Sequence, residues 1–222
     1  MNVTESIVDV SKPKKSAKVL PPVSLLTLDL KTVTVFLEGT TPLITHPFSE
    51  KAKKKMRDKM EGKGTKGREN KDIGEDYEES FYRLPDGRPG MKILAFKNAA
   101  VTAVSSLGKE FTKVLARQAF YILFDEIGGD LTPIWFPEDC PPVMREDTVT
   151  VGMGGTDLRY RPEFRKWGVK IQIQYNERAI SLDRLLNLLN LGGFAVGVGE
   201  WRVERNGDNG RFRVVNNFSW EK

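Results

Sequence analysis

Between Lys31 and Glu38 the chain reads KTVTVFLE, in which apolar and polar positions alternate among β-branched residues. That period predicts a strand with one buried face. The turn residues of GTTPLITHPF close it. Ser49 is placed to cap a helix running through Met60, and Gly62 opens EGKGTKGREN, too rich in glycine and lysine to be a core element. The acidic GEDYEES reads as an exposed loop, and FYRLPDGRPG as a short strand and a turn. LAFKNAAVTAVSSL, from Leu94 to Leu107, is alanine-rich and amphipathic and meets Gly108, so it predicts a helix packed on the sheet. VLARQAFYILF, from Val114, predicts the next strand.

Turn residues crowd the interval from Asp125 to Arg165, yet DTVTV and DLRYRP flank GMGG within it, the pattern of a β-hairpin with a wide glycine tip. GVKIQIQYN, Gly168 to Asn176, alternates cleanly and predicts a strand. Ser181 then caps LDRLLNLLNL, whose leucines line one helix face, and Gly192 and Gly193 are expected to terminate it. GRFRVVNNF supplies a last strand. Two segments, at about residues 45–90 and 125–166, read as insertions. Without them the order is strand, helix, strand, strand, helix, strand. This predicts an α+β, ferredoxin-like (RRM-like) split βαβ fold, an antiparallel sheet with two helices on one face. Residues 29–222 make one domain with large insertions, and the aperiodic, proline-bearing residues 1–28 an arm or tail.

Composition narrows the function classes. With 39% hydrophobic and 29% charged residues, the chain has the balance of a soluble globular protein. Its longest nearly apolar run, Leu182 to Val198, is broken by Asp183, Arg184, Asn187 and Asn190 and predicts no membrane span. No secretory signal pattern precedes the first strand, so the expected compartment is the cytoplasm, with no membrane partner. The single cysteine, Cys140, and single histidine, His46, support neither a disulfide framework nor a zinc site. No metal and no cofactor are implied.

Charge localises the candidate chemistry. The chain carries +5 overall, but Lys51 to Asp72 holds ten Lys or Arg against four Asp or Glu, a local +6. A polyanion would meet this block first, since phosphate contacts release counterions. Its candidate contacts are Lys51, Lys53, Lys54, Lys55, Arg57, Lys59, Lys63, Lys66 and Arg68. The same run also fits a solvated helix face followed by a loop. In the hairpin, Arg145, Arg159, Arg161, Arg165 and Lys166 interleave with Tyr160, Phe164 and Trp167. Such residues can hold phosphates and stack on bases, and they equally fit a surface hairpin whose aromatics pack inward.

GGFAVGVGEW places Gly193, Gly197 and Gly199 after a helix, where a backbone can approach a ligand closely, and Arg202 and Arg205 follow. It is no dinucleotide fingerprint, because Arg202 stands where a third glycine would fall and the segment follows a helix instead of opening one. His46, in ITHPF, has the residue type for general acid–base cleavage of RNA, with no partner identifiable from sequence.

Three stretches carry a resemblance. The strand ending in GTTPLI, the segment YRLPDGRPGMKILAFKNAAVTA and the glycine-rich LNLGGFAVGVGEWRVERNGDNGRFRV are together similar to the RAMP superfamily. The likeness is specifically to CRISPR backbone subunits that coat guide RNA and to standalone bacteriophage-encoded relatives. It spans roughly residues 30 to 216. The resemblance implies that the hairpin at 145–166 is a thumb that displaces a base, that the basic block lines a nucleic-acid groove, and that the Gly193–Gly199 loop approaches the backbone. It also implies a bacterial host cell as the setting.

The resulting expectation is a non-catalytic protein that binds single-stranded RNA or DNA, RNA preferred, and assembles as a homo-oligomer along the strand. Other phage or CRISPR-like subunits are the implied partners. Two alternatives stay open at this point: a RAMP-type endoribonuclease using His46, and a phage structural or host-interaction protein whose basic helix binds an acidic partner.

Overall fold

The computed structural model describes residues 28–48, 50–63, 72–106, 111–124, 128–151 and 154–221. The arm at residues 1–27, the Ser49 cap, the Gly108 stop, and Lys66 and Arg68 lie outside those residues. Strand β1 (Leu30–Gly39) and the short β2 (Leu43–Ile44) lead into helices α1 (Glu50–Met60) and α2 (Ile73–Glu79). Strands β3 (Tyr82–Arg83) and β4 (Pro89–Lys92) form a hairpin ahead of α3 (Ile93–Ala103) and α4 (Lys113–Ala119). Then come β5 (Phe120–Ile122), β6 (Leu131–Trp135), β7 (Val143–Val151), β8 (Gly155–Phe164), β9 (Gly168–Asn176), α5 (Leu182–Ala195) and β10 (Phe212–Val215).

The alternation in β1 and β9 decides the centre of the sheet. Val33, Val35 and Leu37 face Ile173, Ile171 and Val169 across an antiparallel pair, and this side is the buried one. Thr32 and Thr34 point the other way and are exposed. Phe96, Ala99, Ala100 and Ala103 of α3 and Leu185, Leu188 and Leu189 of α5 complete the same hydrophobic cluster. Main-chain pairing runs β10-β1-β9-β6-β4-β3, and β9 offers one edge to two partners, with β6 on its first residues and β5 on its last. All the pairings between strands are antiparallel. A smaller sheet, β2-β8-β7, carries the long hairpin. The described residues thus form a mixed fold of antiparallel sheets and five helices, compatible with the expected ferredoxin-like arrangement. No helix among them is long and apolar enough to cross a membrane.

Four local expectations are corrected. GEDYEES is not a loop: Asp72 accepts a hydrogen bond from the Glu75 backbone at 3.0 Å, and the acids of the first turn complement the helix dipole of α2. The first half of the segment from Val114 is also helical, because Thr112 caps α4 and Ala116 and Ala119 bury one face at helical spacing; the strand begins only at Phe120. Strand β6 lies within the interval read as turns, its Pro133 paired opposite Gly90. Gly192 and Gly193 do not end the second helix. Both are buried inside α5, where a side chain on Gly192 would come within 2.7 Å of the Ala100 backbone nitrogen and one on Gly193 would collide with the Phe212 carbonyl. They let α5 close against α3 and β10, and the helix ends before Gly197, which takes φ +73°.

Candidate nucleic-acid interface

Two clefts meet at His46. The first, about 410 Å³, lies where α1, α2 and β8 converge and is lined by Phe48, Ala52, Asp76, Glu79, Arg159 and Tyr160 among others. The second, about 640 Å³, lies between α3 and the loop after α5, and Lys92, Asn98, Gly197, Gly199, Arg202 and Arg205 contribute to it. His46 lines both, so the two openings share a wall.

Backbone bonds fix the glycine loop to the connection between β1 and β2. Glu200 N–H donates to the Ile44 carbonyl at 2.9 Å and Gly210 N–H to that of Pro42 at 2.7 Å, while Val198 N–H donates to the Gly210 carbonyl at 2.9 Å. Gly199 adopts φ +78°, and a β-carbon there would stand 2.5 Å from the Ile44 oxygen. Gly197 and Gly199 are therefore required by the loop's path as well as placed at the cleft. The Arg202 guanidinium is held by Glu204 at 2.9 and 3.1 Å and by the Gly199 carbonyl at 3.1 Å. Arg205 is exposed and has no ion-pair partner among the described residues.

The hairpin divides its basic residues. Arg159 and Tyr160 reach the first cleft, with Tyr160 largely buried; its hydrogen bond to Glu146 holds the hydroxyl above its usual pKa. Arg161 is 1% exposed, donates to Asp147 at 2.6 Å and stands 3.5 Å from Glu200 of the glycine loop. Arg145 bonds Asp147 and Glu163, each at 2.8 Å, and these acids raise its pKa further. Arg165 pairs with Glu163 at 3.3 Å, and Lys166 opens onto a separate cleft beside Trp135 and Trp220. Gly193 is inside the helix packing. The clefts thus collect Arg159, Tyr160, Gly197, Gly199, Arg202 and Arg205 and leave out Arg145, Arg161, Arg165, Lys166 and Gly193.

His46 is positioned more as a wall than as an acid. Its Nδ1 is 3.3 Å from Ser80 Oγ, and burial, reinforced by the charges of Arg159 and Arg161, lowers its pKa to about 4. The ring is neutral near pH 7, a poor general acid there, with one ring nitrogen free to accept a proton. Among the described residues, no three His, Cys, Asp or Glu are grouped to hold a metal ion.

The lining of the two clefts carries Lys92, Arg159, Arg202 and Arg205 against five carboxylates, Asp76, Glu79, Asp157, Glu200 and Glu204. Positive excess comes instead from α1, which borders the first cleft through Ala52 and holds Lys51, Lys53, Lys54, Lys55, Arg57 and Lys59 against Glu50 and Asp58. This helix buries no residue. Lys51 bonds Glu75 at 2.6 Å, Lys53 and Arg57 approach Glu50 at 2.5 and 3.8 Å, and Lys63 bonds Glu61 at 2.5 Å. Lys54, Lys55 and Lys59 have no ion-pair partner among the described residues. Sequence reasoning missed Lys92, at the end of β4, and Asn98 and Thr102 on α3, which line the second cleft; the only signal was their polarity beside exposed Leu94 on an otherwise buried helix.

No family model matches the sequence, and no curated protein matches it. Among solved structures, the chain is similar to the crystal structure of Cmr6 from Pyrococcus furiosus, at 10% identity over 85% of this chain and 100% of that chain. The TM-score of 0.41 marks a loose likeness that fixes neither fold nor function.

Proposed function

We propose that the protein binds single-stranded nucleic acid without cleaving it. The observation that carries this is the shared wall at His46: it joins the cleft beside the basic α1 to the cleft beside the glycine loop, giving a path a strand could follow. Long-range attraction comes from α1, whose unpaired lysines can exchange counterions for phosphates. The clefts supply contacts of a different kind: the backbone of Gly197 and Gly199, the polar face of α3, and the free guanidinium of Arg205.

Within this proposal the fold is ferredoxin-like: β1, β5, β9 and β10 pair in the spatial order β10-β1-β9-β5, with α3 and α5 against one face. The sequence resemblance to the RAMP superfamily favours RNA over DNA and assembly of several copies along one strand. Protein purified without nuclease treatment should carry nucleic acid, seen as a raised 260-to-280 nm absorbance ratio that ribonuclease abolishes. A protein-like ratio after gentle purification, together with no uptake of added RNA, would overturn the proposal.

A further inference from the structure

Trp201 has φ +52°, in the left-handed region. For a bulky side chain this backbone is an outlier, held only where the surroundings over-determine it. Here they do. The Trp201 carbonyl accepts from Asn209 N–H at 3.0 Å, and a side chain at Gly207 would collide with that same carbonyl. The loop closes over the Trp201 backbone.

The other tryptophans are engaged. Trp167 is fully buried and its indole donates to the Thr41 carbonyl at 2.8 Å. Trp135 has the Arg88 guanidinium over its ring at 5.9 Å, and Trp220 stacks on Phe218 at 5.0 Å. Trp201 is 41% exposed, with no ring contact and no side-chain hydrogen bond among the described residues. Its chain neighbours Glu200 and Arg202 both line the second cleft, while Trp201 itself lies beside that lining and is not part of it.

We propose that Trp201 is a stacking platform for an unpaired nucleobase, making the ligand a strand with accessible bases and not a duplex. This rests on the nucleic-acid reading above and adds a residue to it. A ring is sequence-tolerant because every base has a π-face, and a part-exposed indole with no aromatic, cationic or hydrogen-bond partner among the described residues is suited to that contact. A Trp serving only to fill space would be buried and would sit at a relaxed φ.

The test measures affinity at one salt concentration for an unstructured oligonucleotide and for an abasic strand of the same length. W201A and W201G should each lose roughly 5- to 150-fold on the base-bearing strand. W201F should stay within about threefold of wild type. All four proteins should bind the abasic strand alike. Thermal unfolding adds a check on the backbone: W201G should melt above W201A, the reverse of the usual order, because glycine alone adopts this φ without strain. Equal affinity of wild type and W201A for the base-bearing strand, with salt-dependent binding intact, would overturn the stacking role and leave the nucleic-acid reading standing. An equal loss on the abasic strand would overturn it too, by showing that the ring only supports the loop. Absence of wild-type binding to either strand at low salt would remove both.

Discussion

The guanidinium of Arg161 lies 2.6 Å from Asp147, on a diagonal across β7 and β8, with both side chains nearly closed to solvent. Through a second contact to Glu200 at 3.5 Å, the same arginine links the hairpin to the glycine loop. A buried charge stripped of its partner is far costlier than a surface one. Asp147→Ala should therefore destabilise the fold by about 3–5 kcal/mol in urea denaturation. An effect of surface size, under about 0.5 kcal/mol, would show that the pair is not buried as described.

The two glycines inside α5 give a prediction with an inverted sign. Alanine normally stabilises a helix relative to glycine by about 1 kcal/mol. At Gly193 the added methyl would meet the Phe212 carbonyl, so Gly193→Ala should lower stability by about 1–3 kcal/mol. Thermal melts of this variant and wild type decide between the two signs.

Much of the fold was legible because period and burial coincide. β1 and β9 alternate along most of their length, with Val33, Val35, Leu37, Val169, Ile171 and Ile173 on one covered face, and α1 runs between residues whose polarity and spacing already say helix. The pair at Gly192 and Gly193 was misread for a physical reason: glycine serves both as a helix terminator and as a contact point between helices, and only the proximity of Ala100 and Phe212 distinguishes the two. α4 carried its own signals, the Thr112 cap and the helical spacing of Ala116 and Ala119, but the β-forming FYI that follows masked them. In the candidate site, the special backbone at Gly197 and Gly199 could be anticipated from residue type. Burial of Arg161 could not, since its counter-charges come from positions 147 and 200, which only the tertiary fold brings together. The α3 side of the second cleft was invisible for the same reason.

Stability should fall on mild acidification. His46 has a folded pKa of about 4 against an ordinary 6.5, so between those values the unfolded chain binds a proton that the folded one refuses. Its contribution is complete above pH 6.5 and is lost as the pH falls toward 4, up to about 3 kcal/mol in all. His46→Gln should flatten this part of the stability–pH curve. Denaturation midpoints at several pH values between those limits, for both proteins, make the comparison.

Because α1 buries nothing, its lysines can be changed without touching the core. Lys54→Glu, Lys55→Glu and Lys59→Glu should each shift stability by less than about 0.5 kcal/mol. Together they should weaken nucleic-acid binding regardless of sequence and reduce the salt slope by about 0.7 for each phosphate no longer neutralised. Unchanged affinity in the triple variant would move the electrostatic footprint away from α1.

The central claim is tested most directly by wild-type affinity for a labelled unstructured RNA, and for a duplex of equal length, across a salt series. The proposed function predicts measurable binding to the single strand at low salt, a linear fall of log affinity with log salt, and weaker binding to the duplex. No binding at the lowest salt, or an affinity indifferent to salt, would contradict it.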